Sequence, residues 1–187
     1  MSKRKVIVVT DGDEFARNAV EAATSKVGGR CISLSAGNPT HLTGSEIAEL
    51  VMKAAHDPVV VMLDDNGSKK EGYGEMSLKS LASSPQIEII GAVAVASDTK
   101  TQKGTKINFS INRDGKKVNS GVNKLGFNTQ DNEIFGDTVG VLNQLNIPVI
   151  VGIGDPGKMD GKDNPLNGAP ITTKALREII EASKKQG

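Results

Sequence analysis

The chain has no tryptophan, one tyrosine and four phenylalanines, so aromatics make up only 3% of its residues. Nucleic-acid binders that stack bases on aromatic side chains have little to work with here. Cysteine is nearly absent: Cys31 stands alone, which excludes an intramolecular disulfide and fits a reducing origin. Charge of one sign is also lacking, since 23 basic and 22 acidic residues leave a net charge of +1. That balance gives no overall footprint for nucleic acid or an anionic membrane, and nucleic acid is not the expected partner. Long apolar runs are missing too. Nothing approaches the roughly 18 apolar residues of a membrane span, and the run after Lys3-Arg4-Lys5 is far too short for the core of a signal peptide. The expectation is a soluble protein, free or peripheral at a membrane. Its 187 residues suggest a single domain over 1–187, large enough to bury about 70% of its unfolded surface without a staple.

What is present is a repeated pattern of apolar run, acidic turn and amphipathic helix. Val6 to Val9 is apolar throughout, as expected of a strand covered on both faces, and it ends in Thr10-Asp-Gly-Asp-Glu14. Phe15, Ala16, Ala19, Val20, Ala22, Ala23 and Val27 then follow a helical period that stops at Gly28-Gly29. Asp11 and Asp13 fall at the carboxyl end of that strand, where open α/β sheets bind ligands and the next helix offers free N–H groups. Asp11 with Glu14 also reads as a capping box, so a purely structural role competes.

A second strand over Arg30–Leu34 delivers Ser35-Ala-Gly-Asn-Pro-Thr40 to the same edge. Ser35 and Asn38 offer polar groups that would cradle a phosphate, but without a Walker-type pattern the Asn-Pro turn is the favoured reading. Thr43 and Glu46 form another capping box, with Leu42 and Ile47 as hydrophobic staple. Pro58–Leu63 is a third strand and ends in Asp64-Asp65; Gly67, Gly72 and Gly74 then mark a mobile loop before a helix near 75–82. A fourth strand over Ile87–Ala96, a helix near 136–145 and a strand over Ile147–Ile153 ending at Asp155 continue the pattern. Thr172 is expected to cap the last helix.

Between them the composition changes. Residues 97–133 carry Lys100, Lys103, Lys106, Arg113, Lys116, Lys117 and Lys124 against Asp98, Asp114, Asp131 and Glu133. Ile107, Phe109 and Ile111 alternate with polar residues, and Asp114-Gly115 is a hairpin signal. The expectation is an inserted polar β-hairpin that covers a sheet edge, or a protruding basic ribbon that docks to a partner. The fold class is therefore α/β: a mostly parallel sheet with helices on both faces, Rossmann-like or Toprim-like in three layers, carrying an inserted β-hairpin.

If the strand ends are neighbours, Asp11, Asp13, Asp64, Asp65 and Asp155 share one rim. Two carboxylates about 5 Å apart repel by roughly 3 kcal/mol at an effective dielectric of about 20. The rim then needs a cation, a nearby Lys or Arg, raised pKa values or wider spacing. Oxygen ligands without His or Cys suit Mg²⁺ or Mn²⁺, with Asp11, Asp13 and Asp64 as the candidate metal ligands. Lys158 and Arg17 would neutralise the rim without any metal. His41 and His56 show no ligand spacing and suit surface or helix-end roles, while Cys31 reads as a buried, inert thiol.

The runs KVIVVTDGDE, GGRCIS, SAGNPT, DPVVVMLDD, GAVAVAS, PVIVGIGDPGKM and APITTKA resemble the soluble stage V sporulation protein AE family of spore-forming bacteria. The likeness extends over nearly the whole chain and is weakest near 101–132. It implies a sporulation protein of the forespore or spore, acting with other stage V sporulation A proteins at the spore inner membrane in dipicolinic acid movement and germination. It implies no catalytic residue. A second, partial likeness is to Toprim domains, which hold Mg²⁺: Asp11-Gly-Asp13-Glu-Phe-Ala-Arg17 after an apolar strand looks like their acidic signature. Those domains also place a glutamate after an earlier strand, and the residues before Val6 hold none, so Asp64, Asp65 or Glu75 would have to stand in. The likeness implies a Mg²⁺-dependent phosphoryl-transfer or nucleic-acid-processing enzyme as the alternative.

Overall fold

The computed structural model describes residues 2–67, 71–97 and 104–186. Its centre is β1 (Arg4–Val9), whose alternate side chains divide between two cores. Val6 and Val8 join one cluster and Ile7 and Val9 the other, all at most 1% exposed. That is why the run lacks a polar alternation: both faces are covered.

The chain continues through α1 (Glu14–Lys26), β2 (Arg30–Cys31), α2 (Gly44–Lys53), β3 (Val59–Met62), α3 (Tyr73–Ala82) and β4 (Ile87–Val95). It then runs through β5 (Thr105–Lys106), β6 (Phe109–Ile111), β7 (Lys117–Val118), β8 (Glu133–Ile134), β9 (Ile150–Ile153) and α4 (Pro170–Gln186). A seven-stranded sheet has the order β2-β3-β1-β4-β9-β6-β7, parallel except for its last pair. Ile47, Val51, Leu78 and Leu81 from α2 and α3 pack on one face. Ala19, Val20, Ala23, Ala175, Leu176 and Ile179 from α1 and α4 pack on the other. The expected three-layer α/β fold is therefore present. From β1 the chain moves out to β2, returns to β3 beside β1, and then crosses to β4 on the other side of β1. The strand order reverses between β1 and β4, the place where such sheets hold ligands.

The segment between β4 and β9 follows the edge-covering alternative and not the protruding ribbon. Asp114-Gly115 does turn a hairpin, with Gly115 at φ 71 and Asn112 Oδ1 accepting from the Asp114 and Lys116 amides at 3.0 Å. β6, however, pairs in parallel with β9, so the hairpin lengthens the main sheet instead of protruding from it. Ile107, Ser110 and Ile111 are buried. Gly152 leaves room for Ser110 and Ile134: a Cβ there would lie 2.5 Å from Ser110 Oγ and 2.7 Å from Ile134. Lys117 is tied down, its Nζ 2.7 Å from Glu178 of α4 and 3.8 Å above the Phe109 ring. β5 and β8 pair separately as a two-stranded antiparallel sheet. Lys100, Lys103 and Asp98, counted in the basic excess, lie outside the described residues, as does part of the glycine-spaced loop after Gly67.

Three local expectations are corrected. The second strand stops at Cys31 and gives way to a 3₁₀ turn at Ser33–Ser35. The helix near 136–145 is a 3₁₀ turn at Val139–Gln144, entered through Thr138 at φ 61. The last helix begins at Pro170, and its cap is Asp163 rather than Thr172. Asp163 is fully buried, and its carboxylate accepts from Ile171 N at 2.8 Å, Thr172 N at 3.1 Å and Thr172 Oγ1 at 2.6 Å.

Candidate functional site

The ends of β1, β3, β4 and β9 enclose a cavity of about 110 Å³ at the point where the strand order reverses. Asp11 and Asp13 enter it from β1, Asp64 from β3 and Asp155 from β9, with Asn38, Ser97 and Lys158 beside them. The anticipated convergence is real for four of the five aspartates. Asp65 is absent from the cavity because it faces the other way: its Oδ1 accepts the Gly74 amide at 2.7 Å and the Glu75 amide at 3.3 Å, and its Oδ2 accepts Thr138 Oγ1 at 2.8 Å. This explains the glycines: a Cβ at Gly72 would overlap the Asp65 carboxylate, and one at Gly74 would lie 2.8 Å from the Asp64 carbonyl oxygen.

Ser35 is also outside the cavity. It is fully buried, its Oγ donating to Ile32 O at 2.6 Å and accepting from Met62 N at 2.9 Å, so it joins β3 to the preceding turn. A residue that sequence reading missed is Asp137, which lines the cavity with one carboxylate oxygen buried and unpaired. Its amide donates to Ser97 Oγ at 3.2 Å, and Ser97 N donates to Phe135 O at 3.0 Å, so the segment lies along the end of β4. The signal was there: Gly136-Asp137 follows β8 as Gly154-Asp155 follows β9.

The rim's repulsion is met from inside the chain. Asp13, not Asp11, is the N-cap of α1, its Oδ1 accepting from Ala16 N at 2.8 Å. Asp11 Oδ1 instead accepts from Gly12 N at 2.8 Å and Asp13 N at 3.4 Å. Asp64 Oδ1 accepts from Asn66 N at 2.9 Å, and Asp155 Oδ1 from Gly157 N at 2.9 Å. Lys158 Nζ stands 3.0 Å from Asp155 Oδ2 and supplies the anticipated cation, whereas Arg17 pairs with Glu21 at 3.9 Å. Burial, and then the charges of Asp13, Asp155 and Asp64, push Asp11 up to about 8. Burial likewise raises Asp64 to about 6, with Asp137, Asp65 and Asp13 adding to it against the Asn66 amide. Near neutral pH, Asp11 therefore holds a proton.

These residues do not fit a divalent cation. Among the described residues no group of three or more His, Cys, Asp or Glu is arranged to hold a metal ion. Lys158 already occupies the Asp155 side. His41 and His56 are exposed and outside the cavity. Burial pushes the Cys31 thiol up to about 12, which makes it inert.

Ser97 also borders a second, larger cleft of about 480 Å³. Ala96, Val122, Leu125 and Phe135 form its apolar surface, with Asp131, Glu133 and Lys124 around them. Of its walls, Leu125 and Phe135 are 37% and 42% exposed.

Among the described residues no helix is long and apolar enough to cross a membrane. The family model described as stage V sporulation protein AE1 matches residues 5–183. No curated protein and no solved structure matches the chain.

Proposed function

The chain belongs to the stage V sporulation protein AE1 family, a sporulation family, and from that premise we propose that it acts as a non-catalytic partner of other stage V sporulation A proteins at the spore inner membrane. In this reading residues 1–187 work as one α/β domain in the forespore or spore, peripheral to the membrane, and the assembly serves dipicolinic acid movement and germination. One observation supports the non-catalytic part above others: Asp11, Asp13, Asp64 and Asp155 each spend one carboxylate oxygen on the fold's own amides. Asp13 holds the start of α1, Asp65 the start of α3, Asp64 and Asp155 hold turns, and Lys158 pairs with Asp155. A Mg²⁺-dependent phosphoryl-transfer or nucleic-acid-processing site would need those oxygens turned to a metal and basic residues leading to it.

The test is association of the purified full chain with spore inner membranes, prepared with and without the other stage V sporulation A proteins. Binding that needs those proteins is the expected result. Equal binding to both membranes, or Mg²⁺-dependent turnover of nucleic acid or a phosphate ester lost in Asp11→Asn with Asp13→Asn, would overturn the proposal.

A further inference from the structure

Three observations meet at the cleft beside the acidic cavity. The first is exposure: Leu125 and Phe135 remain more than a third exposed on a wall whose floor, Val122 and Ala96, is 2% exposed.

The second is rigidity. Asn123 Oδ1 accepts the Leu125 amide at 3.0 Å and the Phe127 amide at 3.1 Å, while Asn123 N donates to Phe127 O at 2.9 Å. Arg113 N donates to Gly126 O and Asp155 N to Lys124 O, both at 2.9 Å. The Arg113 guanidinium lies 4.3 Å from the Phe127 ring centroid and 2.6 Å from Asp160. Gly126, at φ 78, comes close enough to Met159 and Arg113 that a Cβ would lie 2.6 Å and 2.8 Å from them. Leu125 and Phe127 thus stand on a loop clamped to Arg113 and Asp155, just past the ends of β6 and β9, and a wall already in its binding shape lowers the entropy lost on association.

The third is charge. Among the described residues that line them, Asp131 and Glu133 flank the cleft beside Lys124, and beyond Ser97 lie Asp137 and the other cavity aspartates beside Lys158. Carboxylates outnumber cations in both linings, which leaves an excess of negative charge among the described lining residues. It disfavours an anionic lipid surface, and a two-fold contact between copies of this chain would set the acidic wall against itself.

We propose that the cleft walled by Val122, Leu125, Phe135, Asp131 and Glu133 is the docking site for an extended segment of a membrane-bound partner protein that presents a large apolar side chain next to a Lys or Arg. The apolar side chain fills the space between Leu125 and Phe135, and the cation lies against Asp131 and Glu133. This proposal rests on the reading above that the chain works by docking, and adds where and to what.

The experiment places the photocross-linker p-benzoyl-phenylalanine at Leu125, at Phe135, or at the 93% exposed Leu166 outside the cleft, in the full chain mixed with spore inner membranes. Positions 125 and 135 are expected to capture the same membrane protein, through a peptide with adjacent apolar and basic residues, and position 166 is not. Asp131→Lys with Glu133→Lys, or the milder Asp131→Asn with Glu133→Gln, should cut that yield at least about fivefold, as should high salt through screening. Thermal melts confirm that each variant is folded. Capture of a second copy of this chain, of lipid, or of an acidic segment would overturn the proposal. So would silence at positions 125 and 135 while the wild-type chain still binds membranes, a result that leaves the docking function standing. Failure of the wild-type chain to bind membranes would overturn both.

Discussion

Thr138 Oγ1 donates to Asp65 Oδ2 at 2.8 Å across 73 residues of chain, joining the segment after β8 to the end of β3. The bond holds a β-branched residue at φ 61, a backbone region that such residues rarely enter. Thr138→Val keeps the shape and removes the donor, leaving a buried carboxylate oxygen unpaired; a loss of about 1–3 kcal/mol is expected in urea unfolding followed by circular dichroism. Thr138→Ser keeps the hydroxyl and should stay within about 1 kcal/mol of wild type. If the two variants unfold alike, the bond does not hold these segments together.

Asp11 makes the stability of the chain depend on pH. Its pKa, about 8 in the folded chain against an ordinary 3.8, means that between those values the folded state keeps a proton that the unfolded state has lost. The associated stability is fully present below about pH 4, falls as pH rises, and is gone above about pH 8. Asp11→Asn mimics the protonated form at every pH. Relative to wild type it should gain stability by up to ~1.4 kcal/mol per pH unit across that window. Parallel pH profiles for the two proteins would remove the proton from Asp11.

Asp163→Ala leaves the Ile171 and Thr172 amides unpaired at the buried start of α4. A loss of about 3 kcal/mol is expected, against about 1 kcal/mol for Thr172→Ser, which keeps the hydroxyl. Urea midpoints decide between them. The reverse order would return the cap to Thr172.

Much of this arrangement is legible in the residues. Continuous apolar runs at Val6–Val9 and Val59–Met62 mark strands covered on both faces, and the aspartates that follow them do meet at one edge. Two kinds of information were not local. Asp163 caps a helix that starts seven residues later, and Asp65 caps α3 across a glycine loop, so spacing rules that look three residues ahead assign those caps to Thr172 and to none. The parallel pairing of β6 with β9 depends on Gly152 leaving room for Ser110 and Ile134, a fit that composition cannot register. Polar residues at 97–133 therefore left open a protruding ribbon where the chain completes its own sheet.

The acidic rim is expected to ignore Mg²⁺. Millimolar Mg²⁺ at pH 6 should give no calorimetric heat and no shift in melting temperature, because a cation must compete with Lys158. A rise of several degrees that disappears in Asp13→Asn would make the rim a metal site.

The central claim, that the chain works through a docking face and not through chemistry at the strand ends, is tested most directly by co-sedimentation with spore inner membranes. Three proteins are compared at equal concentration: wild type, the rim variant Asp11→Asn with Asp64→Asn, and the cleft variant Leu125→Ser with Phe135→Ser. The account predicts that the rim variant binds as wild type does and that the cleft variant binds at least about tenfold more weakly, the equivalent of 1.4 kcal/mol. Loss of binding in the rim variant with full binding in the cleft variant would contradict it.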